Sequence, residues 1–120
     1  MASHNELGKA GEKVVQEYLV ANGYSILELN YRFGRDEIDI IAQENEFIVF
    51  IEVKTRATCF FETPEQAVNL QKQKRIIRVA NQYLIENDLD NEARFDIFGV
   101  TINHSEQSIN HIKSAFVPRW

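Results

Sequence analysis

The chain has 120 residues, of which 44% are hydrophobic and 26% are charged, values typical of a single globular domain with its own core. No stretch is apolar enough to cross a bilayer or to act as a signal peptide, so we expect no membrane partner and a cytoplasmic location. The single cysteine, Cys59, excludes an internal disulfide, and we expect residues 1–120 to form one domain.

The formal net charge of −5 argues at first against a nucleic-acid partner, but the charge is unevenly distributed. Residues 66–85 contain no acidic residue and four basic ones, Lys72, Lys74, Arg75 and Arg78. Acidic residues are concentrated instead in the segment 36–56. An acidic centre beside a basic helix is compatible with binding to nucleic acid.

Three elements are predicted in the first third of the chain. The helical spacing of apolar residues, with Gly23 at the position of a C-cap, predicts a helix over residues 4–22. The segment 24–30 alternates as a strand does. The segment "NYRFGRDE" at 30–37 has the composition of a loop, in which Arg32 and Arg35 are expected to be exposed.

The remainder predicts a hairpin, a helix and two further strands. "EIDIIAQ" and "FIVFIEVKT" form a hairpin around the turn "ENE". Thr63, Pro64 and Gln66 provide the capping signals of a second helix that runs to about Glu86. "RFDIFGVTI" and "INHIKSAF" are the last two strands. The predicted order is α-β-β-β-α-β-β, an α/β fold with a mixed central sheet flanked by helices.

Three charged residues lie in the most apolar part of the hairpin. With a simple register, Asp39 lies beside Glu52, and Lys54 is next to both. Neighbouring carboxylates repel each other and need a cation, and hard oxygen ligands select Mg²⁺ or Mn²⁺. Lys54 can position a water molecule or stabilise charge on a phosphate. The set is suited to metal-assisted phosphodiester hydrolysis.

Other interpretations of these charges stay open at this point. Asp39, Glu52 and Lys54 can instead form a cross-strand ion pair at a half-exposed edge. Glu37 is either a further metal ligand or a solvated charge at the end of a strand. Asp96 is expected to pair with a basic neighbour in the sheet and not to bind metal.

The chain resembles a known family in several segments, in order "NELGKAGEKVVQEYLVANGYSILELNYR", "DEIDIIA", "FIVFIEVKTR", "PEQAVNLQKQKRI", "RFDIFGV" and "HIKSAF". They resemble the YraN-like family of uncharacterised bacterial proteins over nearly the whole chain. That family is similar to archaeal Holliday-junction resolvases, and its members are predicted nucleases. The resemblance implies the restriction-endonuclease-like fold with its P-D…(D/E)-x-K site.

The resemblance also implies roles for individual residues. Asp39 and Glu52 match the metal-binding acids, Lys54 the catalytic lysine, and Glu12 the helix glutamate that completes such sites. Asp36 departs from the pattern, because the family usually has glycine before "EID", and this departure leaves the role of Glu37 open.

The basic helix and its surroundings are the expected nucleic-acid interface, formed by Lys72, Lys74, Arg75, Arg78, Arg56 and Gln66. Gln66 can instead be a helix cap, Lys72 a solvated lysine and Arg56 a surface charge. The leading hypothesis is an endonuclease that uses Mg²⁺ or Mn²⁺ on DNA, including branched or structured DNA. The alternatives are a nucleic-acid-binding module without efficient cleavage and a protein-interaction domain. A homodimer is expected if two strands must be cut.

Overall fold

The helices and strands follow the predicted order, with one additional short helix. The computed structural model describes residues 4–58 and 63–118, and it describes only the backbone of His4, Pro64 and Glu65. Cys59 lies outside the described residues. The elements are α1 (His4–Ala21), β1 (Ser25–Phe33), β2 (Asp36–Glu44), β3 (Phe47–Arg56), α2 (Pro64–Ala67), α3 (Leu70–Glu86), β4 (Glu92–Ile102) and β5 (Gln107–Phe116).

The five strands form one mixed sheet in the order β1-β2-β3-β4-β5. Strands β3 and β4 are parallel, and the other neighbouring pairs are antiparallel. A parallel pair needs a long crossover connection, and α2 and α3 lie in the connection between β3 and β4. The mixed central sheet predicted from the sequence is confirmed.

Each face of the sheet is covered by one long helix. Val15 and Leu19 of α1 belong to one buried cluster, with Ile40, Val49, Ile51 and Phe98 of the sheet. Residues of α3 belong to the other, and they pack with Ile48 and Phe50 among others, through Ile76, Ile77, Val79, Ala80 and Tyr83. The predicted fold class, an α/β fold with a mixed central sheet flanked by helices, is confirmed. None of the described helices is both long and apolar enough to span a membrane.

The segment predicted as a loop at 30–37 is mostly strand, so this prediction was wrong. Strand β1 continues to Phe33, which pairs with Asp36 across a tight turn. Gly34 in that turn has φ +65°, a conformation that glycine adopts without steric cost. A register shift between Ile26 and Glu28 and a positive φ at Asn30 interrupt the alternation by which a strand is identified.

The second helix is also divided, where one continuous helix was predicted. Thr63 and Gln66 form the expected capping box of α2, with the Thr63 N–H donating to Gln66 Oε1 at 3.0 Å. The helix ends at Ala67, and Asn69 then caps α3 by accepting from the Lys72 N–H at 2.9 Å. An asparagine side chain competes with the helix for backbone donors, so it starts a new helix here.

Candidate active site

Two strands separate at the centre of the sheet and create a fork. The ladder between β2 and β3 ends at the pair Ile40–Ile51, after which β2 continues beside β1 and β3 beside β4. Continuing this register places Asp39 opposite Glu52, as the sequence predicts. The Val53 N–H lies beyond the ladder, and it donates to Asp39 Oδ2 at 2.8 Å. The end of the ladder therefore fixes the Asp39 carboxylate between the two strands.

Two cavities meet at this pair of carboxylates, since Asp39 and Glu52 line both of them. The first has a volume of about 270 Å³ and is also lined by Arg35, Asp36, Glu37, Lys72, Arg75 and Ile76. The second has a volume of about 230 Å³ and is also lined by Gly8, Glu12, Val53, Lys54, Thr55 and Arg56. A ligand in either cavity would therefore contact the same two carboxylates.

Burial and mutual repulsion oppose the ionisation of Asp39 beside Glu52. Burial, followed by the nearby charge of Glu52, raises the pKa of Asp39 to about 8. Glu52 is itself buried, with 7% of its surface exposed. A positive charge placed between the two would relieve this repulsion.

The cation that pairs with Glu52 is Lys72 of α3 and not Lys54 of the same strand. Lys72 Nζ lies 2.7 Å from Glu52 Oε2. Lys54 lines the second cavity, and its ammonium group forms no ion pair with a carboxylate of any residue that the structure describes. The cross-strand ion pair considered from the sequence, with Lys54 as the cation, is therefore not the observed arrangement.

Glu12 of α1 reaches the same site from the other face of the sheet. Its side chain is half-buried, and Asn30 Nδ2 donates to Glu12 Oε1 at 3.3 Å. Burial raises the pKa of Glu12, and the charges of Glu37 and Glu52 add to this effect. Glu37 lines the first cavity and forms an ion pair with Arg32, whose Nε lies 3.2 Å from Glu37 Oε2.

A close approach of α1 to β3 brings Glu12 to this position. A Cβ atom at Gly11 would lie 1.9 Å from Thr55 Oγ1 and 2.9 Å from Thr55 Cβ. Only glycine permits helix and strand to touch here. The neighbouring residue Glu12 is consequently held beside the end of β3.

Gly11→Ala should destabilise the protein by about 1–3 kcal/mol, because the added methyl group overpacks the contact with Thr55. Alanine favours an isolated helix over glycine, so the loss would run against helix propensity. Gly8→Ala in the same helix is the control, since no atom lies within 4 Å of its added Cβ. Thermal melting should show a lower midpoint for the first variant and an equal or higher one for the second. Equal midpoints for Gly11→Ala and wild type would contradict the close contact.

Most of the basic residues expected to contact nucleic acid lie at or beside the first cavity. Arg75 lines this cavity with Lys72, and its Nε lies 3.8 Å from Asp36 Oδ1. Arg78 also pairs with Asp36, and its guanidinium stacks over the ring of Phe33. The charge of these two arginines is thus partly neutralised by the protein.

The other predicted interface residues are more dispersed. Arg56 lines the second cavity. Lys74 is exposed on α3 but does not line either cavity. Gln66 is engaged in the cap of α2, with its N–H donating to Thr63 Oγ1 at 3.3 Å. Its position thus matches the alternative considered for it, a helix cap.

Sequence reasoning missed several residues of the site. Asp36 stands out in the sequence only as a departure from the family pattern, and its pairing with α3 was not foreseen. Arg35 was expected only to be exposed, and Gly11 and Asn30 received no role. The sequence "GKAGE" could have suggested a close helix contact, because glycine is unfavourable inside a helix. No local signal links Asn30 to Glu12.

The carboxylates suit a hard divalent cation. Among residues 4–58 and 63–118, no three His, Cys, Asp or Glu side chains form a group that could hold a metal ion alone. Mg²⁺, however, is commonly bound through one or two carboxylates, with water and phosphate supplying the other oxygens. The donor set of Asp39 and Glu52 meets that requirement.

Comparison with known proteins identifies close relatives along almost the entire chain. The model of an uncharacterised protein family, UPF0102, matches residues 11–100. A UPF0102 protein of Flavobacterium psychrophilum is 47% identical over 97% of this chain and 98% of its own length. One of Bacteroides thetaiotaomicron is 46% identical over 98% of each chain. The names of these relatives state no activity.

A solved structure also aligns with the chain. It is that of Pyrococcus furiosus SfsA in complex with Ca²⁺, and it covers 89% of this chain and 62% of its own. The sequence identity is 15% and the TM-score is 0.40. A likeness of this degree says nothing about function.

Proposed function

The chain belongs to the uncharacterised protein family UPF0102, as its resemblance to YraN-like proteins predicts, and we propose that it is a divalent-metal-dependent endonuclease acting on DNA in the cytoplasm. One observation carries the proposal. Asp39 and Glu52 lie side by side where two cavities with cationic linings meet. Metal-dependent phosphodiester hydrolysis uses such a combination of metal-binding carboxylates and cations for the phosphates.

Each residue has a defined task in this proposal. Asp39 and Glu52 would hold Mg²⁺ or Mn²⁺, and Glu12 and Glu37 are the further acids within the same two cavities. The metal ion, when bound, polarises a phosphoryl oxygen and lowers the pKa of bound water. Lys54, whose ammonium group is not taken up by either carboxylate, orients the attacking water or stabilises charge on the phosphate.

The distribution of cations favours a nucleic-acid backbone as the ligand. Arg35, Lys72 and Arg75 line the first cavity, and Lys54 and Arg56 line the second. Phosphates on both sides of a scissile bond would therefore meet positive charge. This arrangement allows binding although the formal net charge is −5.

Two variants should change DNA binding in opposite directions. Replacing Lys74, Arg75 and Arg78 by glutamine should weaken DNA binding. The slope of the logarithm of the binding constant against the logarithm of the salt concentration should fall by about one unit for each phosphate that is no longer bound. Asp36→Asn should tighten binding, because it removes the acid that neutralises Arg75 and Arg78. Fluorescence anisotropy with labelled DNA at several salt concentrations measures both. If neither variant alters affinity or slope, this face does not contact DNA.

A cleavage assay distinguishes the proposed endonuclease activity from the two alternative functions. Purified protein is incubated with linear, flapped and four-way DNA, with and without Mg²⁺ or Mn²⁺, beside Lys54→Met. The endonuclease cleaves at least one substrate only with metal, and the variant loses cleavage while retaining DNA binding. If wild type binds DNA but does not cleave it, the nucleic-acid-binding module is favoured. If wild type neither binds nor cleaves DNA, the protein-interaction domain is favoured. Sedimentation with and without DNA tests for the homodimer that paired cuts require.

A further inference from the structure

An ammonium group already occupies the cationic position beside Glu52. Lys72 Nζ is 2.7 Å from Glu52 Oε2, and 35% of the lysine side chain is exposed against 8% of the glutamate. Lys72 belongs to the first turn of α3 and lies outside the D…E-x-K motif. The more buried carboxylate of the site thus has a partner within the protein.

The backbone of Lys72 is fixed although its side chain is partly free to move. Its N–H donates to the Asn69 cap at 2.9 Å. The next residue, Gln73, is buried and donates to the Val68 carbonyl at 3.0 Å. A long side chain that starts from a fixed position and ends at the cavity can exchange partners without any movement of the helix.

Two cations cannot share one carboxylate oxygen without repelling each other. A metal ion on Glu52 must therefore displace the ammonium group or bind beside it at a cost in affinity. Lys72 lines the first cavity together with Arg35 and Arg75. A phosphate drawn into that cavity would give the displaced ammonium group a new partner.

We propose that Lys72 is a resident counter-ion of Glu52 that competes with the divalent metal and keeps its affinity low until nucleic acid is bound. The inference rests on the proposed metal site at Asp39 and Glu52. It makes Lys72 a positioning residue that acts through Glu52.

The test measures metal binding by protein free of nucleic acid. Mn²⁺ is titrated into wild type, Lys72→Gln, Lys72→Arg and the control Lys113→Gln, and free Mn²⁺ is followed by electron paramagnetic resonance. Lys72→Gln should bind about tenfold more tightly than wild type, because the competing ion pair is removed. Lys72→Arg should bind more weakly, because a guanidinium holds a carboxylate with two hydrogen bonds. Lys113→Gln, an exposed lysine of β5 that lines neither cavity, should match wild type.

The failure of this inference and that of the proposed function have different signatures. Suppose that wild type binds Mn²⁺ and that Lys72→Gln binds it no more tightly. This result would show that Lys72 only supports the fold. If neither wild type nor any variant binds Mn²⁺, the proposed metal site at Asp39 and Glu52 is contradicted. If Lys72→Gln does not fold, Lys72→Arg decides, and binding equal to or tighter than that of wild type overturns the inference.

Discussion

Asp39→Asn should leave the metal-free protein as stable as wild type or more stable by about 1 kcal/mol. The substitution removes one of two neighbouring negative charges, and the raised pKa of Asp39 reflects burial together with that repulsion. The amide oxygen can still accept from the Val53 N–H, so the fork retains its hydrogen bond. The same substitution should abolish both the stabilisation by millimolar Mg²⁺ or Mn²⁺ and metal-dependent cleavage.

Thermal melting with and without metal, at a pH above the pKa of Asp39, measures both parts of this prediction. Asp36→Asn is the matched control, since it also converts a carboxylate of the first cavity into an amide. It should retain the metal-dependent rise in melting temperature and lose only its pairs with Arg75 and Arg78. If Asp39→Asn is less stable than wild type and metal does not stabilise wild type, the proposed metal site is contradicted, and so is the proposed endonuclease activity.

The central pair of the site was predictable because it depends on local geometry. Alternation along two strands and the short turn "ENE" fix the hairpin register, and this register sets Asp39 opposite Glu52. The expected element order followed from similar local signals. Such signals fail where a positive φ at Asn30 and a register shift interrupt β1, and the sequence of that segment therefore predicts a loop.

The partners of the central pair were not predictable because they depend on where distant elements meet. Lys72 reaches Glu52 only because Asn69 starts α3 at that point and the crossover packs the helix against β2, the neighbour of β3 in the sheet. The pairing of Asp36 with two arginines of α3 has the same origin. The sequence singles out these charged residues but does not assign their ion pairs.

A second group of charges, around Asp96, is bound internally and does not form part of the proposed active site. Arg94 donates to Asp96 Oδ1 and Oδ2, at 3.0 Å from Nε and 2.9 Å from Nη2, and to Glu44 Oε1 at 2.7 Å. His111 Nε2 lies 2.8 Å from Asp96 Oδ2, and the Ser114 N–H donates to Oδ1 at 3.0 Å. The expectation that Asp96 pairs with a basic neighbour is confirmed. Each polar atom of its buried carboxylate is therefore satisfied.

Asp96→Ala should destabilise the protein by about 3–5 kcal/mol, because it leaves the nearly buried Arg94 and His111 without their shared partner. Arg32→Gln, which removes an exposed ion pair, should cost less than about 1 kcal/mol.

Burial opposes ionisation of Asp96, but hydrogen bonds from His111 and Arg94 hold its pKa below the ordinary value of 3.8. A lowered pKa contributes stability above that value, and the contribution is lost as pH falls through the folded pKa. The stability difference between wild type and Asp96→Asn, measured by urea unfolding, should therefore shrink as the pH falls below 3.8. A difference that stays constant there would show that the Asp96 charge does not stabilise the fold.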